Sequence, residues 1–247
     1  MGPREYHEEI SSTQDRAIEL ARSGAPEGTR VVAGQQKNGR GRLERVWASP
    51  PGGLYLSIVL RAPAEHPTLL PLALGARLAH ALHDQYSLPF WVRWPNDVLA
   101  APVSYRPRKV AGILVDRVPS PRFGTVEVAG IGVNVTTARA AFPPELHEHA
   151  ASLAEFVRPP PTLDAVEALV FRSAMRAAIG LQGAGGVEAT RRLCRHWLYG
   201  VGRRATVDGR DAGTIVGLGD EGELLLDHGA ERVALHAGDV RLEETPS

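Results

Sequence analysis

Along Leu54, Leu56, Ile58 and Leu60, apolar positions alternate with Tyr55, Ser57 and Val59. A period of two predicts a half-buried strand. A helical period follows Ser11-Ser12-Thr13-Gln14, where Ala17, Ile18, Leu20 and Ala21 form a stripe that Gly24 closes. Ser11 and Gln14 have the spacing of a capping box, so a helix is expected to start there. Residues from about 68 to 85 are apolar around most of a helical wheel, which predicts a buried helix. Apolar runs at 31–33, 90–94, 110–115 and 126–135 predict strands. Pro95 stops the second of these. Gly130 and Gly132 sit inside the last one and point to close approach by a neighbour or a ligand. Residues 142–149 read as loop. Thr162 caps a predicted helix through Leu163, Val166, Val170, Ala174 and Ala177 to Gly180, and another is expected from about 186 to 198.

After Tyr199 the texture changes. Short strand-like runs near 203–208, 212–218, 223–227 and 231–235 are separated by Asp208-Gly209, Asp220-Glu221-Gly222 and His228-Gly229. Strands this short and evenly spaced predict a small β-barrel. The expected boundary falls at 199–203, dividing the chain into units 1–200 and 201–247.

Charge removes one class of function from the front rank. Lys and Arg together number 28, Asp and Glu 28, and the formal net charge is zero. A basic nucleic-acid surface is not the default for such a chain. No apolar run reaches membrane length, and Met1-Gly2-Pro3-Arg4-Glu5 has no signal-peptide core, so a cytoplasmic protein is expected. Cys194 is the single cysteine, which excludes an internal disulfide framework and a multi-cysteine zinc site. Beside Leu193 and Trp197 it reads as core packing. Of the basic residues only Lys37 and Lys109 are lysines, so each stands out in a chain that otherwise uses arginine.

Four segments carry candidate chemistry. Gly39-Arg40-Gly41-Arg42-Leu43-Glu44-Arg45-Val46-Trp47 combines backbone freedom, three forked cations suited to phosphate or carboxylate, and a flat aromatic face. Taken alone, it equally describes a solvated hairpin. Arg93-Trp94-Pro95-Asn96-Asp97 ends a strand in a tight turn, where Asp97 can hold Mg²⁺ or organise a phosphate site, or simply close an Asx turn. Lys109 opens the strand Val110-Ala111-Gly112-Ile113-Leu114-Val115; it can neutralise an anion or merely keep an edge soluble. Asn134, after Gly130-Ile131-Gly132-Val133, can read a purine edge or pair with backbone. The histidines show no metal spacing: His80 and His83 share a helix face without a carboxylate or cysteine in register.

Taken in order, these segments resemble the biotin protein ligase family. Ser12-Thr13-Gln14, Gln36 through Trp47, Ser49-Pro50-Pro51-Gly52-Gly53-Leu54-Tyr55-Leu56-Ser57, Trp94-Pro95-Asn96-Asp97, Lys109 through Val115 and Gly130 through Val135 carry the match. The resemblance implies an α+β fold: a mixed β-sheet flanked by helices, like the class II aminoacyl-tRNA synthetases, followed by a small SH3-like β-barrel. It implies that biotin and MgATP give biotinyl-5′-AMP, and that biotin is then transferred to one lysine of a biotin carboxyl carrier protein. By position, Ser12, Thr13, Gln14 and Gln36 look like contacts of the biotin head group. Arg40, Gly41 and Arg42 look like the loop that closes on biotin and the adenylate phosphate. Lys109 looks like the contact to the biotin carboxylate and phosphate, with Gly112 as a backbone contact beside it. Arg42, Arg45, Trp47 and Asn134 look like nucleotide neighbours, and Asp97 like a metal or phosphate organiser. Lys109, Arg40 and Arg42 are the residues expected to carry the chemistry. Gln14 stands where Asn is usual, Arg93 where Lys is usual, and Asp116 where Glu is usual.

The first motif starts at residue 11, which leaves no room for the roughly 60 residues of an N-terminal DNA-binding domain. A ligase without repressor function, either monomer or homodimer, is the expectation. A lipoate or octanoate ligase of the same fold and a non-catalytic biotin sensor are the competing readings.

Overall fold

The structure is a computed structural model that describes residues 2–61, 66, 68–102, 106–229, 231–238 and 240–242. Seven strands form one sheet: β1 (Arg4–Ile10), β2 (Arg30–Gln36), β3 (Gly53–Leu60), β4 (Phe90–Arg93), β5 (Asp97–Ala100), β6 (Arg108–Ser120) and β7 (Gly124–Asn134). Their order is β1-β2-β3-β7-β6-β5-β4. β1 runs parallel to β2 and the other neighbours pair antiparallel, so the sheet is mixed. The helices are α1 (Thr13–Arg22), α2 (Leu69–Tyr86), α3 (Leu163–Gly180) and α4 (Gly183–Trp197). This is the α+β arrangement expected of the first unit.

β3 lies at the centre and is buried along its whole length, not on one face only. Its even positions, Leu54, Leu56, Ile58 and Leu60, share a core with the apolar sides of α2 and α3. On the opposite face, Val59 joins Val31, Val118, Val126 and Val128 beneath Ala17 and Ala21 of α1. The alternation sorts the side chains between two faces as expected, but helices on both faces leave no solvated side, so the strand is fully rather than half buried. α1 starts one residue later than expected: Ser12, not Ser11, is its N-cap and accepts from the Asp15 amide at 3.2 Å. Thr162 caps α3 as expected, accepting from the Ala165 amide at 3.3 Å. β1 and β5 were not expected. β1 is a charge-rich edge strand with an exposed side, and β5 has four residues directly after the Trp94-Pro95-Asn96 turn, so neither shows an apolar period. The 142–149 loop contains a short helical turn at Pro144–Leu146.

The C-terminal strands are β8 (Arg204–Val207), β9 (Arg210–Leu218), β10 (Leu224–His228), β11 (Glu231–Leu235) and β12 (Val240–Leu242). They pair in the order β11-β10-β9-β8-β12. Among the described residues β11 and β12 are edges, so the barrel expected here is instead an open five-stranded antiparallel sheet. Ala205, Ile215, Leu218, Leu224, Leu226 and Val240 belong to the same core as α2 and β3. The Trp94 indole N–H donates to the Gly222 carbonyl at 2.9 Å, tying this sheet to the β4–β5 turn.

Cys194 is buried in the core, and burial pushes its thiol up to about 12, so it is a packing residue. His80 and His83 lie against the Trp197 ring, with centroids 5.7 and 5.4 Å away, and His80 also pairs with Asp84 one turn on at 3.1 Å, so a carboxylate does stand in register with it. No described helix is long and apolar enough to cross a membrane.

Candidate active site

The floor of the site follows from strand register. Ser57 lies opposite Gly130, Tyr55 opposite Gly132, and Gly112 opposite Gly132. Side chains directly opposite one another share a sheet face, so three glycines and a serine leave a trough across β3, β7 and β6. The face is the one that α1 covers further along. The trough opens into a cavity of about 310 Å³. Trp47 uses the space: a Cβ added at Gly112 or Gly132 would stand 2.6 or 2.5 Å from its ring atoms. Here the missing side chains, not backbone freedom, are what the glycines contribute.

One end of the cavity is polar. Thr13 sits in the first turn of α1, where its backbone N–H and its hydroxyl both donate to Gln36 Oε1, at 2.8 and 3.0 Å. The same hydroxyl lies 2.9 Å from the Ser57 hydroxyl. Gln36 Nε2 donates to Ser49 Oγ at 2.9 Å. Gln14 Nε2 donates to Asp116 Oδ2 at 3.0 Å and to the Val128 carbonyl at 2.9 Å, while its Oε1 is buried without a partner.

The other end is cationic. Lys109 Nζ lies 2.5 Å from Asp97 Oδ1 and 4.9 Å from the centre of the Trp47 ring. Arg93 holds the other Asp97 oxygen at 2.6 Å. Burial pushes the Asp97 carboxyl upward, but the charges of Lys109 and Arg93 more than offset this and hold it below its ordinary value. The backbone of Lys109 is clamped by the following loop: its N–H donates to His149 O at 2.7 Å, and Ala151 N–H donates to its carbonyl at 2.9 Å. Asn134 Nδ2 donates to Ala151 O at 3.2 Å, so the same loop also fixes the end of β7.

The arginine-rich loop covers the cavity as a small hairpin. Trp47 N–H donates to Gly39 O at 2.9 Å and Gly41 N–H to Arg45 O at 2.7 Å. At its tip Leu43 and Glu44 hold φ values of 52° and 59°, and Leu43 and Val46 are 69% and 80% exposed. A left-handed backbone is costly for leucine. The arginines are not simply repelling one another. Arg40 pairs with Asp15 at 2.8 Å and lies 3.5 Å from Asp116, and Arg42 donates to Asn96 Oδ1 at 3.3 Å. Beyond the loop a larger cleft of about 680 Å³ continues to Gly222, Glu223 and His236 of the C-terminal sheet.

All the site residues expected from sequence line the 310 Å³ cavity except Ser12. Ser12 caps α1 by accepting from the Asp15 amide, a bond that uses its oxygen and not its hydroxyl hydrogen. Ser57, Arg93 and His149 also line this cavity, and Asp116 lines the larger cleft beside it, but none carried an expected role; each lies in a strand or loop where its residue type alone signals nothing. For Mg²⁺ the residues do not fit. Both Asp97 oxygens are held by cations, and among the described residues no group of three or more His, Cys, Asp or Glu side chains could hold an ion.

Comparison with known proteins agrees with this geometry. The family profile "Biotin/lipoate A/B protein ligase family" matches residues 6–135. The chain is 32% identical to the bifunctional ligase/repressor BirA of Bacillus subtilis, over 96% of this chain and 73% of that protein. It is 30% identical to the biotin–[acetyl-CoA-carboxylase] ligase of Mycobacterium tuberculosis, over 94% of this chain and 86% of that one. Among solved structures it matches the biotin protein ligase of Aquifex aeolicus in complex with biotin and ATP, with TM-score 0.81, 28% identity and coverage of 99% and 100%. With its sequence matched over more than half its length and its sheet and helices superposing on such a ligase, the chain belongs to the biotin/lipoate A/B protein ligase family.

Proposed function

We propose that this protein is a biotin protein ligase. The observation that carries the reading is one cavity with a hydroxyl- and amide-lined end, a fixed lysine at the other end, and a tryptophan face between them. Biotin is largely apolar with a polar ureido head and a distal carboxylate, and such a ligand wants an apolar pocket with a few placed polar groups. Thr13, Gln14 and Gln36 would receive the head, and Lys109 the carboxylate. Trp47, Arg42, Arg45 and Asn134 are assigned to ATP.

In the first step a carboxylate oxygen of biotin bonds to the α-phosphorus of ATP, and the bond from that phosphorus to pyrophosphate breaks. Two anions meet, so fixed positive charge must offset their repulsion. Lys109 supplies it, oriented by Asp97; Arg40 and Arg42 add to it from the loop. In the second step the amine of a carrier lysine attacks the acyl carbon and AMP leaves. The loop excludes water from the mixed anhydride meanwhile. Mg²⁺ would arrive as the counter-ion of ATP, since the described residues offer it no seat. Residues 1–200 are assigned the adenylation chemistry, and 201–247 a supporting unit beside the nucleotide cleft. The partner is the biotin carboxyl carrier domain of a biotin-dependent carboxylase, in the cytoplasm.

The test is pyrophosphate release with ATP, Mg²⁺ and either biotin or lipoate. Release with biotin supports the reading. Release with lipoate alone would make the protein a lipoate ligase, and release with neither would make it a sensor.

A further inference from the structure

Asp116 has no role in the chemistry above, yet two parts of the site meet on one of its oxygens. Asp116 lies on β6, two residues beyond Leu114, which pairs across the floor with Gly130. Its Oδ2 accepts from Gln14 Nε2 at 3.0 Å and lies 3.5 Å from Arg40 Nη1. The other hydrogen of the Gln14 amide goes to the Val128 carbonyl at 2.9 Å. A carboxylate and a carbonyl can only accept, so they force the nitrogen of Gln14 toward them. The amide oxygen therefore points the other way. It is buried and unpartnered, and a Cβ at Gly130 would stand 2.6 Å from it. Gln14 as a whole is 3% exposed and lines the cavity. The Thr13 hydroxyl beside it is already engaged by Gln36 and Ser57. An acceptor without a donor remains at the polar end.

We propose that Asp116 is a positioning residue that fixes the Gln14 amide with its oxygen toward the ligand and ties the covering loop, through Arg40, to the same oxygen. The site then selects head groups that carry an N–H, the cyclic urea class. A dithiolane ring has no N–H and would leave the Gln14 oxygen unpaired as it is without ligand, so it gains nothing there and is disfavoured against a cyclic urea. Head-group recognition and part of the loop's hold share one carboxylate, the rest of that hold being the Arg40–Asp15 bond at 2.8 Å. This rests on the reading of the cavity as a biotin site.

Asp116→Asn keeps the shape but adds an N–H donor, so the Gln14 amide is free to turn. Pyrophosphate release should then show KM for biotin up about tenfold, the scale of one hydrogen bond, with kcat within about twofold. Biotin analogues methylated on one or the other ureido nitrogen should be discriminated against by the native protein and much less by the variant. Gln14→Asn and Asp116→Glu should each raise KM, and the double variant, which moves one methylene from one partner to the other, should restore it. Trypsin without ligand should cleave after Arg40 or Arg42 about two- to fivefold faster in Asp116→Asn, the scale of an exposed ion pair. Unchanged KM with unchanged analogue discrimination, a fall in kcat at constant KM, or no recovery in the double variant would each overturn the proposal. If Asp116→Asn fails to fold, the double variant decides by whether native KM returns. If the native protein ignores biotin altogether, the reading of the site fails instead, and the ligand-free cleavage rate still decides the loop tie.

Discussion

Lys109 is one of two lysines in the chain, and the structure gives it a fixed place rather than a solvated edge. Its backbone is clamped by His149 and Ala151, its amine by Asp97, and its charge faces Trp47. Lys109→Ala is expected to leave the protein folded and to slow biotin-dependent pyrophosphate release by about 10²- to 10³-fold, the usual cost of one missing charge-stabilising donor. Near-native release by the purified variant would remove Lys109 from the chemistry. Asp97 makes a second test through pH. Its carboxyl titrates below the ordinary 3.8 because Lys109 and Arg93 outweigh its burial. A group whose folded value is depressed stabilises the fold fully above its unfolded value and loses that contribution as pH falls through the folded one. Urea unfolding of native protein and Asp97→Asn should therefore differ by about 2 kcal/mol at neutral pH, between exposed and buried ion pairs. The gap should shrink only below about pH 4, the range of an ordinary carboxyl. A gap that closed nearer pH 7 would mean another group is titrating. Lysine rarity drew attention to Lys109 in the sequence. Nothing comparable marked Asp116 or Ser57, whose roles depend on which strand faces which.

Strand register made the site, and register is what sequence shows least well. The apolar periods of β3, α2 and α3 were legible because each is long and buried. β1 was hidden by its charged, half-exposed sequence, and with it the left edge of the sheet. Gly130 and Gly132 signalled close approach, but only the pairing of Gly112 with Gly132 shows that the approaching group is Trp47. Gly132→Ala should push that ring out of the trough. The expected outcome is greater acrylamide quenching of tryptophan emission and KM for ATP raised by about tenfold, one lost stacking contact. Unchanged quenching would mean the ring does not lie there in solution. By charge alone, Arg40, Arg42 and Arg45 on one short loop would repel one another. Asp15, Asp116 and Asn96 hold Arg40 and Arg42 instead, so the strain sits at Leu43 and Glu44, which no charge pattern reveals.

For the whole molecule, the C-terminal sheet is not a loosely appended unit. Ile215, Leu218, Leu224 and Leu226 share the core of α2, and Trp94 bonds to Gly222 across the junction. The change of texture after Tyr199 located four of these five strands and missed β12, and short strands and turns cannot show what they pack against. The intact chain should unfold in one thermal transition, and a chain ended at residue 200 should lose cooperative unfolding because it exposes that core. Two separate transitions in the intact chain would contradict a shared core. We propose that this molecule joins biotin to a carrier lysine through an adenylate made in the Lys109 cavity. The most direct test is mass analysis of a biotin carboxyl carrier domain incubated with the protein, ATP, Mg²⁺ and either biotin or lipoate. One biotinyl group on one lysine, no lipoyl group, and a strongly slowed biotin transfer with Lys109→Ala are expected. A carrier left unmodified by biotin, or modified as readily by lipoate, would contradict the proposal.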